Sequence, residues 1–397
     1  MKIFTCAPRP FKGAEAFFKR DTGLICRGFQ SLGHTSKSIL LGPKRMDDLE
    51  DDLGDVMRAD LSSLTDVLWW KSLDIDACIF CSWGKPEYQE MVDSILAAGI
   101  QLIQITDTQG ILSPYSGWSD YMSIEDSHYY AYPVWKRRLR QFIRVTYGIT
   151  LGGLLRDRPR VKMLSTGHYF TAATPAAKKR FERLANHYVK GLNKDHFQCV
   201  AFPISLHGIC VRQSDKVDKV VAVGRWDDKQ KRQQLLMTTV QMTMKIRLGT
   251  VFEIYGFITQ ELKEWHKQLQ RGDMERVRLI GVVPHEVVMN GLKTARTLLC
   301  PSAYEGCCNA SAEALTVGCS VVAVDSPAMS ALKWHASLRS GTLSRTSSGQ
   351  DMADALCEEL VLWDAGKRSA CDIAKTWQPM FNSEKIAEAY VSLIERK

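Results

Sequence analysis

A chain of 397 residues with 45% apolar content exceeds what one hydrophobic core supports, so two domains are expected. The formal net charge of +8 is modest for this length and no nucleic-acid partner is expected. The 12 cysteines sit mostly inside apolar runs such as "ACIFCSW" and "LLCPS", which excludes a disulfide scaffold. Cys78 and Cys81 form a C-x-x-C within a strand, where odd spacing turns their side chains to opposite faces and argues against a metal or redox pair. "MKIFTCA" starts a strand with no apolar signal core, and no window reaches about 18 uninterrupted apolar residues, so a cytoplasmic location is expected.

In chain order, "KIFTCA", "KSILLG", "ACIFCSW", "QLIQIT", "VKMLST" and "FQCVAFP" read as buried strands alternating with helices. After the polar connection "RQSDKVDK" (212–219) the rhythm restarts with "VVAVGR", "VFEIYGF", "VRLIGVV", "TLLCPS" and "SVVAV". The expected class is α/β, with two doubly wound Rossmann-like domains facing a cleft. Their boundaries are set at 1–208 and 209–378, and a terminal helix in 379–397, capped by Ser383, packs back on the first domain.

Cations concentrate in "WKRRLRQFIR" (135–144), "RDRPRVK" (156–162) and "KKRFER" (178–183). In the first of these, Trp135, Leu139, Phe142 and Ile143 make an apolar stripe at helical spacing. The favoured expectation packs that stripe against the first domain with the cations solvated. The other reading is peripheral contact with anionic lipid through 135–144, at the inner membrane face.

Several devices are absent. No two of the 27 glycines are separated by one residue, which removes the G-x-G-x-x-G dinucleotide fingerprint, and no Walker, H-E-x-x-H or G-x-S-x-G pattern occurs. The pair Asp74 and Asp76 lies at the amino end of a strand, the wrong edge for a parallel-sheet site, and reads as solvated turn acids.

Two loops at carboxyl ends of strands remain. "VGRWDDKQKR" brings Arg225 and Lys231 after Gly224, two cations suited to a diphosphate. "YEGCCNASAEAL" reads as a loop followed by a helix capped by Asn309. The backbone N–H groups from Cys307 and Cys308 into that helix favour an anion or sugar oxygens, and Glu305 and Glu313 accept from hydroxyl groups. A ligand that combines diphosphate and hydroxyls is a nucleotide sugar.

Over roughly 218–380, "VVAVGRWDDKQK", "IGVVPHEVV" and "LLCPSAYEGCCNASAEALTVGCSVVAVDS" resemble, in order and spacing, the donor half of retaining GT-B glycosyltransferases, specifically glycosyltransferase family four (glycosyl transferases group 1). The resemblance implies that Arg225 and Lys231 neutralise the diphosphate, that Glu305 touches donor-sugar hydroxyls, and that Glu313 holds the ribose. It implies that the loop of Val283 and Pro284 cradles the base, with His285 a solvated loop neighbour. Gly13, Asp107, Gly224, Gly306, Cys307, Cys308 and Asn309 complete the implied donor contacts. The implied donor is a UDP-sugar ahead of a GDP-sugar, with no cofactor and no metal, and the acceptor is a sugar, a lipid-linked molecule or a small molecule. Where the family reads E-G-F-G, this chain has Glu305, Gly306, Cys307 and Cys308, and Thr106 stands beside Asp107 where the family often has histidine. The competing functions are a GT-B-fold epimerase or hydrolase, and a catalytically degenerate nucleotide-sugar-binding subunit.

Overall fold

The computed structural model describes residues 1–9, 21–43, 55–123, 133–193, 195–205 and 211–396. Among these, thirteen strands form two sheets. The first comprises β1 (Ile3–Ala7), β2 (Ser38–Leu41), β3 (Val56–Ala59), β4 (Ala77–Cys81), β5 (Gln101–Thr106), β6 (Tyr169–Ala172) and β7 (Phe197–Cys199), in the order β3-β2-β1-β4-β5-β6-β7. The second comprises β8 (Val217–Arg225), β9 (Val251–Phe257), β10 (Val277–Gly281), β11 (Ala295–Cys300), β12 (Ser320–Val324) and β13 (Gly341–Ser344), in the order β10-β9-β8-β11-β12-β13. Neighbouring strands pair in parallel throughout, for example β1 with β4 and β8 with β11.

Parallel pairing follows from the sequence. "IFTCA", "ACIFC" and "SVVAV" are buried along their whole length, as strands covered by helices on both faces must be. In the second sheet Val220 and Ala222 pack on one side with Leu236, Val240 and Leu356, while Val221 between them packs on the other with Leu292, Ala314 and Val317. Each sheet reverses its strand order once, between β1 and β4 and between β8 and β11. At such a switch point the carboxyl ends of the strands border a crevice, which is where open α/β sheets bind ligands.

The contact pattern divides the chain into one unit of Met1–Met122, Arg138–Ser205 and Met380–Lys397, and another of Ser123–Arg137 and Leu206–Pro379. The helix Ser383–Glu395 returns to the first unit and lies on the helix Asp21–Ser31, where a Cβ at Gly28 would run into the Ser383 carbonyl. Its cap is Asn382, whose side chain accepts from Lys385 N, rather than Ser383. Ser383 is itself the first helical residue, so the extended residue before it takes the cap.

Three sequence expectations are corrected. "VKMLST" lies in the helix Arg158–Ser165 and its end; Val161, Met163 and Leu164 are buried there on one side of a helix. The strands actually present as β3, β6 and β13 are "VMRA", "YFTA" and "GTLS", each of four residues. The basic stripe lies in the helix Val134–Ile149, but Trp135, Leu139, Phe142 and Ile143 are exposed rather than packed against the first unit. Asp74 and Asp76 are both exposed at the amino end of β4, and Asp76 accepts from the Lys2 backbone N–H at 2.7 Å. No helix among the described residues is long and apolar enough to cross a membrane.

Burial holds several imidazoles neutral. It pushes His335 down to about 3, and lowers His168 and His196 as well, all by removing the charged form from water. Above the ordinary imidazole value of about 6.5 these groups add no pH dependence. Below it the unfolded chain takes up protons that the folded chain refuses, so stability falls as pH drops towards the folded values. His335 alone should remove about 2 kcal/mol between pH 7 and pH 5. Urea titrations at the two pH values should show the midpoint drop at constant slope; equal midpoints would mean that His335 protonates in the folded state.

Candidate functional site

The two loops that flank the switch point of the second sheet are built on each other. β8 ends at Arg225, whose side chain is 76% exposed and donates from Nη2 to Asp228 Oδ2 at 2.8 Å. Asp228 also accepts from Gln230 N at 2.9 Å and so caps the tight turn Lys229–Lys231, which is closed by Arg232 in the left-handed region at φ 48°. The turn points Lys231 inward, where its Nζ reaches Glu305 Oε1 at 2.6 Å. Room for the lysine stem comes from Gly224: a Cβ there would lie 3.3 Å from Lys231 Cγ. Gly224 pairs with Gly256 of β9, at φ 99°, where a side chain would meet the Gly224 carbonyl.

From the other side, the loop after β11 is stitched to the same turn. Ala303 N donates to Gln230 O and Gln230 Nε2 donates to Tyr304 O, each at 2.7 Å, while Glu305 N donates to Ala328 O at 2.9 Å. Glu305 is therefore buried with its backbone fixed. After Gly306 and the half-buried Cys307 the chain turns through Cys308 at φ 48°, and the helix Asn309–Thr316 begins. Asn309 is the first helical residue rather than the cap. Cys308 holds the cap position, its carbonyl accepting from Ser311 N at 3.1 Å and Ala312 N at 3.2 Å, with no side-chain capping bond. The left-handed cap aims the first N–H groups of the helix, which have no intrahelical acceptors, out of the loop.

Under this loop lies a charged nucleus. Cys300 Sγ, Cys308 Sγ and a Glu305 carboxylate oxygen lie within 4.8 Å of one another, all buried. The Cys308 thiol lowers Cys300 by hydrogen bonding, against burial and with help from Lys231, and Cys308 is raised in turn by Cys300 and by burial. Burial alone would depress Lys231, but Cys300, Glu305 and Cys308 together raise it above the usual lysine value. Lys231 is thus an ammonium held by the Glu305 carboxylate, with the Cys300 and Cys308 thiols close to that carboxylate.

Glu313 lies one turn into the helix Asn309–Thr316, its side chain 18% exposed, and Oε1 is 2.9 Å from His285 Nε2. His285 is exposed, as expected, but it is not in a loop: it is the first residue of the helix His285–Thr294, behind Val283 and Pro284, and it joins that helix start to Glu313. Val283 packs partly into the core that contains Val221 and Tyr255. Asp107 lies in the first unit, just after β5, where the buried Thr106 accepts from Thr108 N at 3.2 Å. Gly13 lies outside the described residues. Asp228, Gln230 and His285 were absent from the expected set. An aspartate two residues before a glutamine at a turn signals a cap for Asp228, but the bonds from Gln230 to Tyr304 and from His285 to Glu313 span 74 and 28 residues and leave no local pattern.

Residues 217–360 match the family described as "Glycosyl transferases group 1". No curated protein sequence matches the chain. Among solved structures, the chain is similar to the lipopolysaccharide outer core galactosyltransferase WaaB, with 16% identity, 99% of each chain covered and a TM-score of 0.63. It is similar to HepE from Anabaena in complex with UDP, with 13% identity, 100% of each chain covered and a TM-score of 0.67; that protein is also solved with UDP-glucose. It is similar to sucrose-phosphate synthase from Thermosynechococcus elongatus, with 14% identity, 99% of this chain and 98% of that one covered, and a TM-score of 0.60. At these identities the structural likeness speaks for the fold, and the match over 217–360 speaks for the family. The match to glycosyl transferases group 1 is confined to that segment, and the chain as a whole shares the GT-B fold of two parallel sheets with these structures.

Proposed function

We propose that the chain moves a hexosyl group from a nucleoside-diphosphate sugar to a hydroxyl acceptor with retention of configuration. The observation that carries this reading is the arrangement at the switch point of the second sheet. Arg225 and Lys231 leave one strand end, and Glu305 and a helix start leave the next, with Lys231 bonded to Glu305 at 2.6 Å. Cleavage of an anomeric carbon–diphosphate bond builds negative charge on the leaving oxygens and an electron-poor sugar carbon. Preorganised cations at the leaving group are worth most to such a step, since they need no reorganisation as the charge develops.

The roles divide by exposure. Arg225 is the outer cation, free to swing from Asp228 onto a phosphate. Lys231 is the inner one, fixed against Glu305, and it orients that carboxylate so that its remaining lone pairs face the sugar hydroxyls. Glu313, held by His285, accepts from the ribose, and the helix start at Asn309 supplies N–H groups to phosphate or sugar oxygens. The leaving phosphate itself accepts the acceptor proton, so no side chain acts as a nucleophile. Cys308 keeps the loop in a left-handed conformation that an ordinary residue adopts only at a cost, which supports a working loop over a degenerate one. UDP is the favoured nucleotide, in line with the UDP complexes of the Anabaena structure.

Two substitutions separate the cations. Arg225→Ala should lower kcat by about 10²- to 10³-fold with an unchanged melting temperature, since it removes a leaving-group donor from an exposed side chain. Lys231→Met should lower kcat at least as far and also destabilise the fold by about 3 kcal/mol, because it strands Glu305 as a buried, unpaired carboxylate. Wild-type turnover in folded Arg225→Ala protein would sink the leaving-group role.

Donor identity is read by thermal shift against UDP, GDP and their sugars. UDP should raise the melting temperature of wild type and of Glu305→Gln alike, and a UDP-sugar should add a further rise in wild type that Glu305→Gln loses. Equal losses for nucleotide and sugar nucleotide would move Glu305 off the sugar. Turnover should persist in chelator, as the two cations and the helix start already meet the diphosphate; loss with EDTA restored by magnesium or manganese would add a metal to the mechanism.

A further inference from the structure

The helix Val134–Ile149 is turned inside out. The side that packs on the fold is polar: Gln141 Nε2 donates to the Met122 carbonyl at 2.7 Å, and Arg144 lies 4.4 Å over the Tyr121 ring and donates to the Tyr121 carbonyl. Gly148, one turn on, is buried against Pro114 and Tyr121. Positions 141, 144 and 148 follow one another along a helix face, and the opposite face carries Trp135, Leu139, Phe142 and Ile143. Those four side chains are between 51% and 68% exposed. Beyond the helix, Leu151, Leu154 and Leu155, the last two in the π-helical turn Gly153–Asp157, are also more than half exposed.

A contiguous apolar face of this extent on an outward helix has a partner. Its chemistry is set by charge: from Val134 to Arg156 the sequence contains six Lys or Arg residues and no Asp or Glu. Lys136 and Arg140 project along one border of the apolar stripe and Arg138 along the other, as helical spacing places them. A second copy of the chain on the same face would set these cations against their own kind. An anionic lipid surface instead accepts both parts, with apolar side chains among the acyl chains and cations at the phosphates.

We propose that the outward face of the helix Val134–Ile149 docks the protein on an anionic bilayer, with Trp135, Leu139, Phe142 and Ile143 inserted below headgroups that Lys136 and Arg138 engage. The proposal stands whether or not the second unit transfers sugar, and its test reads binding alone.

The full chain is sedimented with vesicles of phosphatidylcholine, and of phosphatidylcholine with 30% phosphatidylglycerol, at 50 mM and 500 mM NaCl. Binding should require the anionic lipid and fall at least tenfold at the higher salt, because surface attraction is screened within a Debye length. Leu139→Asp with Phe142→Asp should reduce partitioning at least tenfold, and Lys136→Glu with Arg138→Glu should do the same, both with unchanged melting temperatures because these side chains are exposed. Tryptophan emission should shift to the blue on binding as Trp135 leaves water. Absence of sedimentation with the anionic vesicles at 50 mM salt would overturn the proposal, and so would undiminished binding by Leu139→Asp with Phe142→Asp. A wild-type dimer in analytical ultracentrifugation that the aspartate substitutions dissociate would also overturn it, by assigning the face to a second copy.

Discussion

A lysine ammonium 2.6 Å from a buried carboxylate is the interaction around which the second unit is organised. Taking two charges out of water costs several kcal/mol each, and mutual attraction offsets this only where geometry is fixed and the remaining hydrogen bonds are made. Lys231 and Glu305 therefore need the stitching that surrounds them: Asp228 capping the turn that aims the lysine, Gln230 bound to Ala303 and Tyr304, and Ala328 accepting from Glu305 N. These bonds tie the ends of β8 and β11 together at the one place where the sheet order reverses. The pair and the site have the same location because the topology leaves a crevice there and nowhere else along that edge.

Much of this was legible in the sequence, for an identifiable reason. Strands buried on both faces are written as unbroken apolar runs, so "VVAV", "LLC" and "SVVAV" announced themselves, and polar residues following them marked the functional edge. The reading failed where that code is weak. "VMRA", "YFTA" and "GTLS" are four-residue strands with half-exposed members, too short to display a period. "VKMLST" has strand-like composition, but a helix of eight residues buries Val161, Met163 and Leu164 just as well, and a short apolar run does not distinguish the two.

The site residues show the same division between local and distant causes. Arg225, Lys231, Glu305 and Glu313 could be nominated from their positions relative to strands and a helix. Their pairing could not: which cation meets which acid depends on a turn closed by Arg232 in a left-handed conformation and on a second such residue at Cys308. A left-handed cysteine is nearly invisible to propensity, which expects glycine or asparagine there, and it displaced the helix cap from Asn309 by one residue. The thiol compensates in part, since a buried Cys308 donates towards Cys300 beside the ammonium, a contact that glycine does not offer. Cysteine at this left-handed position thus places a buried thiol beneath the loop.

Amphipathicity has a further blind spot, which the helix Val134–Ile149 makes plain. A period of 3.6 reports that a helix has an apolar side, not that this side faces the core. The inward preference is a base expectation that holds only when the fold offers that helix an apolar seat. Here the seat is made of the Met122 and Tyr121 carbonyls, the Tyr121 ring and Pro114, which suit an amide, a guanidinium and a glycine. Polar groups so placed would be left unsatisfied if the helix rolled over to bury Trp135 and Phe142, and each would cost on the order of 1–3 kcal/mol. The seat fixes the roll, and the roll fixes the exposure of the apolar side. What the unit gains from leaving that surface in water is then a question about its partner, and the absence of any acid over 134–156 answers it with an anionic one.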